Sequence, residues 1–331
     1  MNCLARRSVI NASATGNRER VSTDASVFGV IVSTMPRFAR CVGDGTMAAV
    51  SALELSGSSA VGHATAAHTA LAYAVRFWFV TAVIGQWAFL YYVAAFYDAA
   101  TLRGDFAAWS RNTFLLKGYV AGDTAGNLAF AAHVLLAAVV TFGGALQLIP
   151  WLRSRFVLLH RWNGRLFLVT AIAAALSGLY MIWARGSRQN LTAGIATSLD
   201  AALIIVFALQ AWRWALAREI PRHRRWALRT FIVANGVWFQ RIGMFGWAVA
   251  NNAPLGMTEH FDGWFDLSWA FGCYLVPLAV LELYLYCRER AGTRGRFGMA
   301  AVVLLMTVMT GFGAYAAYAF VWRPFLWRVA G

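Results

Sequence analysis

Seven stretches of predominantly apolar residues punctuate the chain, at about 72–97, 127–149, 164–184, 195–216, 229–250, 266–287 and 298–322. A helix needs about 20 such residues to cross the hydrocarbon layer of a bilayer. The loops between them are short, so the pattern predicts a single all-α integral membrane bundle of about seven transmembrane helices over 71–323, with a short tail at 324–331. A transmembrane barrel would show segments of roughly 10 alternating residues instead. Ahead of the first stretch, residues 1–70 are rich in Ala, Ser, Thr and Gly, and Val27–Val32 is too short for a signal-peptide core. That region reads as a disordered cytoplasmic tail, with Met47 as an alternative start.

Composition agrees with the pattern. Of the 331 residues, 60% are hydrophobic and 13% charged, against roughly 25% charged in a soluble domain. The net charge of +15 would suggest nucleic acid if the protein were soluble. The cations, however, sit in alternate loops. Arg153, Arg155, Arg161 and Arg165 follow the second span, Arg213, Arg218, Arg222, Arg224, Arg225 and Arg229 the fourth, and Arg288, Arg290, Arg294 and Arg296 the sixth. The loop 251–265 on the other side carries Glu259 and Asp262 and no cation. By the positive-inside rule the arginine-rich loops and the N-terminus are cytoplasmic. The basic excess is a topology signal, and nucleic acid is not an expected partner. The expected partners are the lipid bilayer and anionic lipids at the arginine loops, and a homo-oligomer stays open.

All 29 cationic residues except Lys117 are Arg, which leaves no intramembrane Lys for a retinal-type Schiff base. Cys3, Cys41, Cys273 and Cys287 lack metal-ligand spacing, so no metal site is expected. No catalytic elbow, phosphate loop or nucleotide fingerprint is visible, which argues against classical hydrolase or nucleotide-dependent chemistry.

Polar residues inside the apolar stretches are costly and mark pathways or sites. His133, Ala137, Val140, Gly144 and Gln147 fall on one helical stripe, which is expected to face the bundle. Arg241 falls near the middle of the fifth span, and an unpaired Arg there is strongly unfavourable. Asp200 in the fourth span is offset from it by about 6 Å along the bundle, so an Asp200–Arg241 pair is expected. The other reading makes Arg241 an anchor for an anionic ligand. Glu282 is expected to meet the arginine loops, and Pro277 to kink the sixth span.

Two entries into helices look alike. His160-Arg161-Trp162-Asn163-Gly164-Arg165 precedes the third span, and His223-Arg224-Arg225-Trp226-Ala227-Leu228-Arg229 the fifth. They suggest an approximate repeat of helix hairpins, which in membrane bundles often places a site at the interface. Together with His133 and Gly143-Gly144-Ala145-Leu146-Gln147, these pieces resemble the bacterial membrane family known as domain of unknown function 2306, over about 127–250. The resemblance implies a multipass protein of the bacterial inner membrane and brings no activity with it.

Three functions are compatible with these residues. If the helices reach inward to about 157 and 223, His160 and His223 stand at matching depth. They could then ligate a b-type haem, or serve a quinone or other redox ligand, with His133 as a further cofactor-binding candidate. Alternatively, His133, Gln147, Asp200 and Arg241 line the path of a carrier or proton-coupled transporter. Thirdly, the arginine loops are the working surface of a non-enzymatic lipid-binding or assembly protein.

Overall fold

The computed structural model describes residues 44–98, 100, 103–111, 117–324 and 326. Its regular elements are helices: α1 (Asp44–Val93), α2 (Thr124–Leu148), α3 (Pro150–Arg155), α4 (Val157–Trp183), α5 (Leu191–Leu216), α6 (Ile220–Ala234), α7 (Gly236–Ala250), α8 (Trp264–Arg290) and α9 (Thr293–Ala317). Their starts obey local chemistry. The Asp123 carboxylate accepts the Gly126 N–H at 2.8 Å to cap α2, and the Asn190 side chain accepts the Ala193 N–H at 2.8 Å to cap α5. Pro150 and Pro221 occupy the first turns of α3 and α6, where a missing N–H costs nothing.

Among the described residues, six helical segments are long and apolar enough to cross a membrane: Gly62–Tyr97, Thr124–Leu148, Val157–Trp183, Leu191–Leu216, Trp264–Arg290 and Thr293–Trp322. Large apolar side chains on them face outward, with Leu128 and Leu216 at 70% and 72% exposure, as a chain solvated by lipid requires. The protein is a multipass helical membrane bundle.

The expected fifth span departs from the pattern. It is two helices of 15 residues, α6 and α7, meeting at Asn235 (φ −98°, ψ 10°). The Asn235 amide donates to the Phe231 carbonyl at 2.7 Å, a side-chain bond that competes with the helical ladder, and Gly236 follows, a poor helix former. About seven crossings were expected, and the described residues make six long apolar helices and one interrupted pair.

Helix α1 also differs from expectation. It begins at Asp44, so 44–70 is helical where a disordered tail was expected. The Ala-rich composition explains this, since Ala is the strongest helix former. Residues 1–43, with Cys3 and Cys41, lie outside the described residues. Cys273 and Cys287 are buried free thiols, and α8 continues through Pro277.

Two of the buried clusters bear on the interrupted pair. One gathers Val140 of α2, Phe167, Leu168 and Ala171 of α4, Ala208 and Ala211 of α5, and Phe231 and Ile232 of α6. The other gathers Ala82, Phe89 and Tyr92 of α1, Trp238, Phe239 and Ile242 of α7, Cys273 and Tyr274 of α8, Ala317 and Trp322. The break at Asn235 passes the chain from the first cluster to the second.

Candidate functional site

A cavity of about 170 Å³ opens between α1, α2, α4, α5 and α7. Phe89, Tyr92, Tyr97, Ala137 and Met181 form much of its apolar wall. Its polar groups are His133, Thr141, Ser187, Arg188, Gln189, Thr197, Gln240 and Arg241. Ser187, Arg188 and Gln189 belong to the α4–α5 connection, so the cavity reaches the arginine-poor end of the bundle. A small neighbouring cavity shares Gln189, Ala193, Gln240 and Ala270 with it and extends to Phe261 and Asp266. At about 20 Å³ it holds roughly one water molecule.

His133 reaches this cavity from α2. Its Nδ1 lies 3.1 Å from the Ala174 carbonyl and 3.0 Å from the Ser177 hydroxyl. A carbonyl only accepts, so Nδ1 carries the proton and, in the neutral ring, Nε2 keeps a lone pair. The expected stripe is realised: Val140 and Gly144 are buried, and the Gln147 amide donates to the His160 carbonyl at 3.1 Å.

Arg241 stands on the cavity wall, but the expected Asp200–Arg241 pair is not formed. Its Nη1 donates to the Val237 carbonyl at 3.1 Å, and its guanidinium lies 5.2 Å from the centre of the Phe89 ring. Among the described residues Arg241 has no carboxylate partner. The reason is rotational. Asp200 approaches α7 at Gly236, where an added Cβ would lie 2.7 Å from Oδ2. Arg241 is five residues further along α7, which turns it about 140° away on a helix of about 100° per residue. A bridgeable offset in depth was necessary for the pair and not sufficient.

Asp200 is therefore alone. It is 6% exposed, and its Oδ1 has no hydrogen-bond partner among the described residues. From α8, Tyr274 packs against the same glycine, its Cβ 3.2 Å from the position of an added Cβ, while its hydroxyl donates to the Ala196 carbonyl at 3.1 Å. From α1, Gln86 is 1% exposed and donates to Asn235 Oδ1 at 3.1 Å. The interrupted helix is thus approached by Asp200 at Gly236 and by Gln86 at Asn235.

Residues 130–285 match the family described as Predicted membrane protein (DUF2306). The match covers just under half of the chain. It runs from α2 into α8, further than the resemblance at 127–250 reached, and holds His133, Gln147, His160, Asp200, His223 and Arg241. No curated protein and no solved structure matches the chain.

At the arginine-rich end of the DUF2306 stretch, the two similar entries have equivalent geometry. Helices α4 and α6 begin at Val157 and Ile220, so His160 and His223 both sit in first turns. In each entry an Arg lies over the Trp three residues earlier: Arg165 at 5.0 Å from the Trp162 ring, Arg229 at 4.6 Å from Trp226. Each entry is also tied back to the preceding helix, by Gln147 to the His160 carbonyl and by His223 Nδ1 to the Ala211 carbonyl at 2.9 Å. Glu282 meets these loops as expected, accepting from Arg229 at 2.6 and 2.8 Å, and Glu289 pairs with Arg225. Among the described residues no three His, Cys, Asp or Glu side chains are grouped to hold a metal ion.

Sequence reasoning missed Gln86, Asn235, Gly236, Arg188 and Gln240. Gln86 stands as a polar residue within an apolar run, and Asn-Gly is a turn signal even inside a span. Gln240 carries the same signal as Gln86, a polar residue within an apolar stretch, whereas Arg188 lies in a connection and only the fold brings it to the cavity.

Proposed function

We propose that the protein is a membrane carrier that binds an anion with an apolar body in the cavity between α1, α2, α4, α5 and α7. The observation that carries this reading is Arg241, an intramembrane guanidinium on a cavity wall with an aromatic ring and a carbonyl for partners and no carboxylate. Such a charge is held at a cost of several kcal/mol, and the cation–π contact returns only about 0.5–2 kcal/mol of it. An anion brought within about 4 Å recovers roughly 4 kcal/mol at an effective dielectric of about 20. Arg188, Gln240 and the His133 ring supply further polar contacts, and Phe89, Tyr92 and Tyr97 take the apolar part.

The test is titration calorimetry of the detergent-purified protein with octanoate, using octylamine as the cationic control. Arg241→Gln should weaken octanoate binding by roughly 10- to 100-fold, the worth of a charge-assisted hydrogen bond. Octylamine binding as tightly as octanoate, or a folded Arg241→Gln variant with full octanoate affinity, would end this reading.

A second reading, a b-type haem or quinone module, is favoured by one observation. His223 Nδ1 is committed to a carbonyl, which leaves Nε2 available as a ligand near His160. The residues fit a haem only in part, since neither cavity described above is lined by His160 or His223. A Soret band on protein from haem-replete cells, lost in His223→Ala, is its signature, and a clean baseline removes it.

A further inference from the structure

Asp200 is a second intramembrane charge-bearing group that the cavity does not use. Three observations meet at it. The carboxyl is buried with Oδ1 unpartnered, although it lies in a bundle rich in arginine. It abuts the glycine at which the fifth crossing is interrupted, so closely that a methyl group could not be added there without displacing it. And the interruption falls between two packing clusters: Phe231 and Ile232 of α6 pack with α2, α4 and α5, whereas Trp238, Phe239 and Ile242 of α7 pack with α1, α8 and α9, and Leu278 and Leu281 of α8 reach the first cluster as well. An ionised carboxylate with an unpaired oxygen in this position is strongly unfavourable, and a neutral carboxyl is not.

We propose that Asp200 is a proton-binding site that controls the α6–α7 junction. The carboxyl takes a proton from water to become the neutral acid and packs on Gly236. Giving the proton back to water leaves a carboxylate that must regain hydration, which requires the junction to open. The ionisable groups facing Asp200 are Cys273 and Tyr274, both on α8. The buried residues of α4 are all non-ionisable, and the junction itself offers only Asn235 and Gly236. Protonation of Asp200 is therefore not offset by a nearby cation. The inference goes beyond the anion site and stands whether or not octanoate binds; the two readings are tested at different residues.

The experiment is hydrogen–deuterium exchange of the full chain in detergent across a pH series, followed in peptides spanning 231–239. Rates are corrected for the intrinsic pH dependence of amide exchange. Exchange in this segment should rise by roughly tenfold or more as pH is raised in the natural protein. It should stay at the low-pH value in Asp200→Asn, which has the shape of the protonated acid. Infrared difference spectra of the two proteins at low pH should contain a carboxylic-acid band that only the natural protein shows. A corrected exchange rate that ignores pH in the natural protein, or one that rises equally in Asp200→Asn, overturns the proposal. The series is run in sodium chloride and in choline chloride. If sodium alone closes the segment at high pH, the ligand is Na⁺, and the proton assignment fails.

Discussion

Helices α7 and α9 approach through glycine. An added Cβ on Gly313 would lie 2.5 Å from the Ile242 carbonyl oxygen, about 0.9 Å inside the 3.4 Å of ordinary contact. The obstacle is backbone, so no side-chain rotation relieves it. Gly246 is as constrained from the other side, its Cβ meeting the Gly313 Cα at 3.0 Å. Gly313→Ala should therefore cost about 1–3 kcal/mol in overpacking, reduced by up to about 1 kcal/mol from the better helix propensity of Ala. Gly298, on the same helix, has nothing within 4 Å of an added Cβ, so Gly298→Ala keeps the propensity gain alone. The two substitutions have the same chemistry and opposite expected signs. Unfolding in detergent followed by far-ultraviolet circular dichroism should place Gly313→Ala below and Gly298→Ala above the natural protein. Because α7 carries Arg241, Gly313→Ala should also weaken octanoate binding. Equal shifts for the two variants would refute the close-packing argument.

Asn235→Ala removes the acceptor for the buried Gln86 amide and should destabilise by about 1–3 kcal/mol, whereas the pair Gln86→Leu with Asn235→Leu should cost less than the sum of the singles, measured by the same unfolding assay. Glu282→Gln breaks a bidentate pair with Arg229 that is partly solvent-exposed, so about 0.5–1 kcal/mol is expected, and the loss should shrink as salt is raised. The Arg185 guanidinium and the Gly126 N–H hold the Asp123 carboxyl below the usual carboxylate range. The depressed value means that the tie is intact above about pH 4 and is lost as pH falls further, so exchange of amides 118–127, corrected for its intrinsic pH dependence, should rise in acid in the natural protein and stay constant in Asp123→Asn.

The class of fold is legible in the sequence because lipid imposes it. A span needs about 20 apolar residues, and apolar runs of that length are visible without any knowledge of packing. The Glu282 contact with the arginine loops was legible for a similar reason, since depth in a membrane follows from position along a helix. What depth does not supply is rotation. Asp200 and Arg241 were close enough in depth for a long side chain to bridge, yet they lie on different faces of the junction, so the expected pair dissolves. The break at Asn235 was hidden because the flanking sequence Phe231-Ile232-Val233-Ala234 and Val237-Trp238-Phe239 stays apolar across it. The Ala-rich stretch at 44–70 carries the opposite lesson: without an apolar run it reads as a tail, yet its helix propensity is high.

The interruption explains why the two intramembrane charges can stay apart. An unbroken helix across 220–250 would carry Phe231 and Ile232 of one cluster and Trp238, Phe239 and Ile242 of the other on a single rigid rod. Instead, one residue with non-helical φ/ψ separates the two halves, and the groups that bear on this residue and the next come from different helices: Gln86 from α1 and Asp200 from α5. Had Asp200 paired with Arg241, the energy of that pair would have pinned α7 to α5 and closed the anion site with an internal carboxylate. Left unpaired, Arg241 faces a cavity in which an external anion can take the place of the missing partner, and Asp200 faces a joint whose geometry its own charge opposes. The arrangement forgoes the stability of a buried ion pair and leaves each group sensitive to something outside the chain. On the proposed reading, that is the distribution of charge by which a ligand or a proton would shift the equilibrium between conformations.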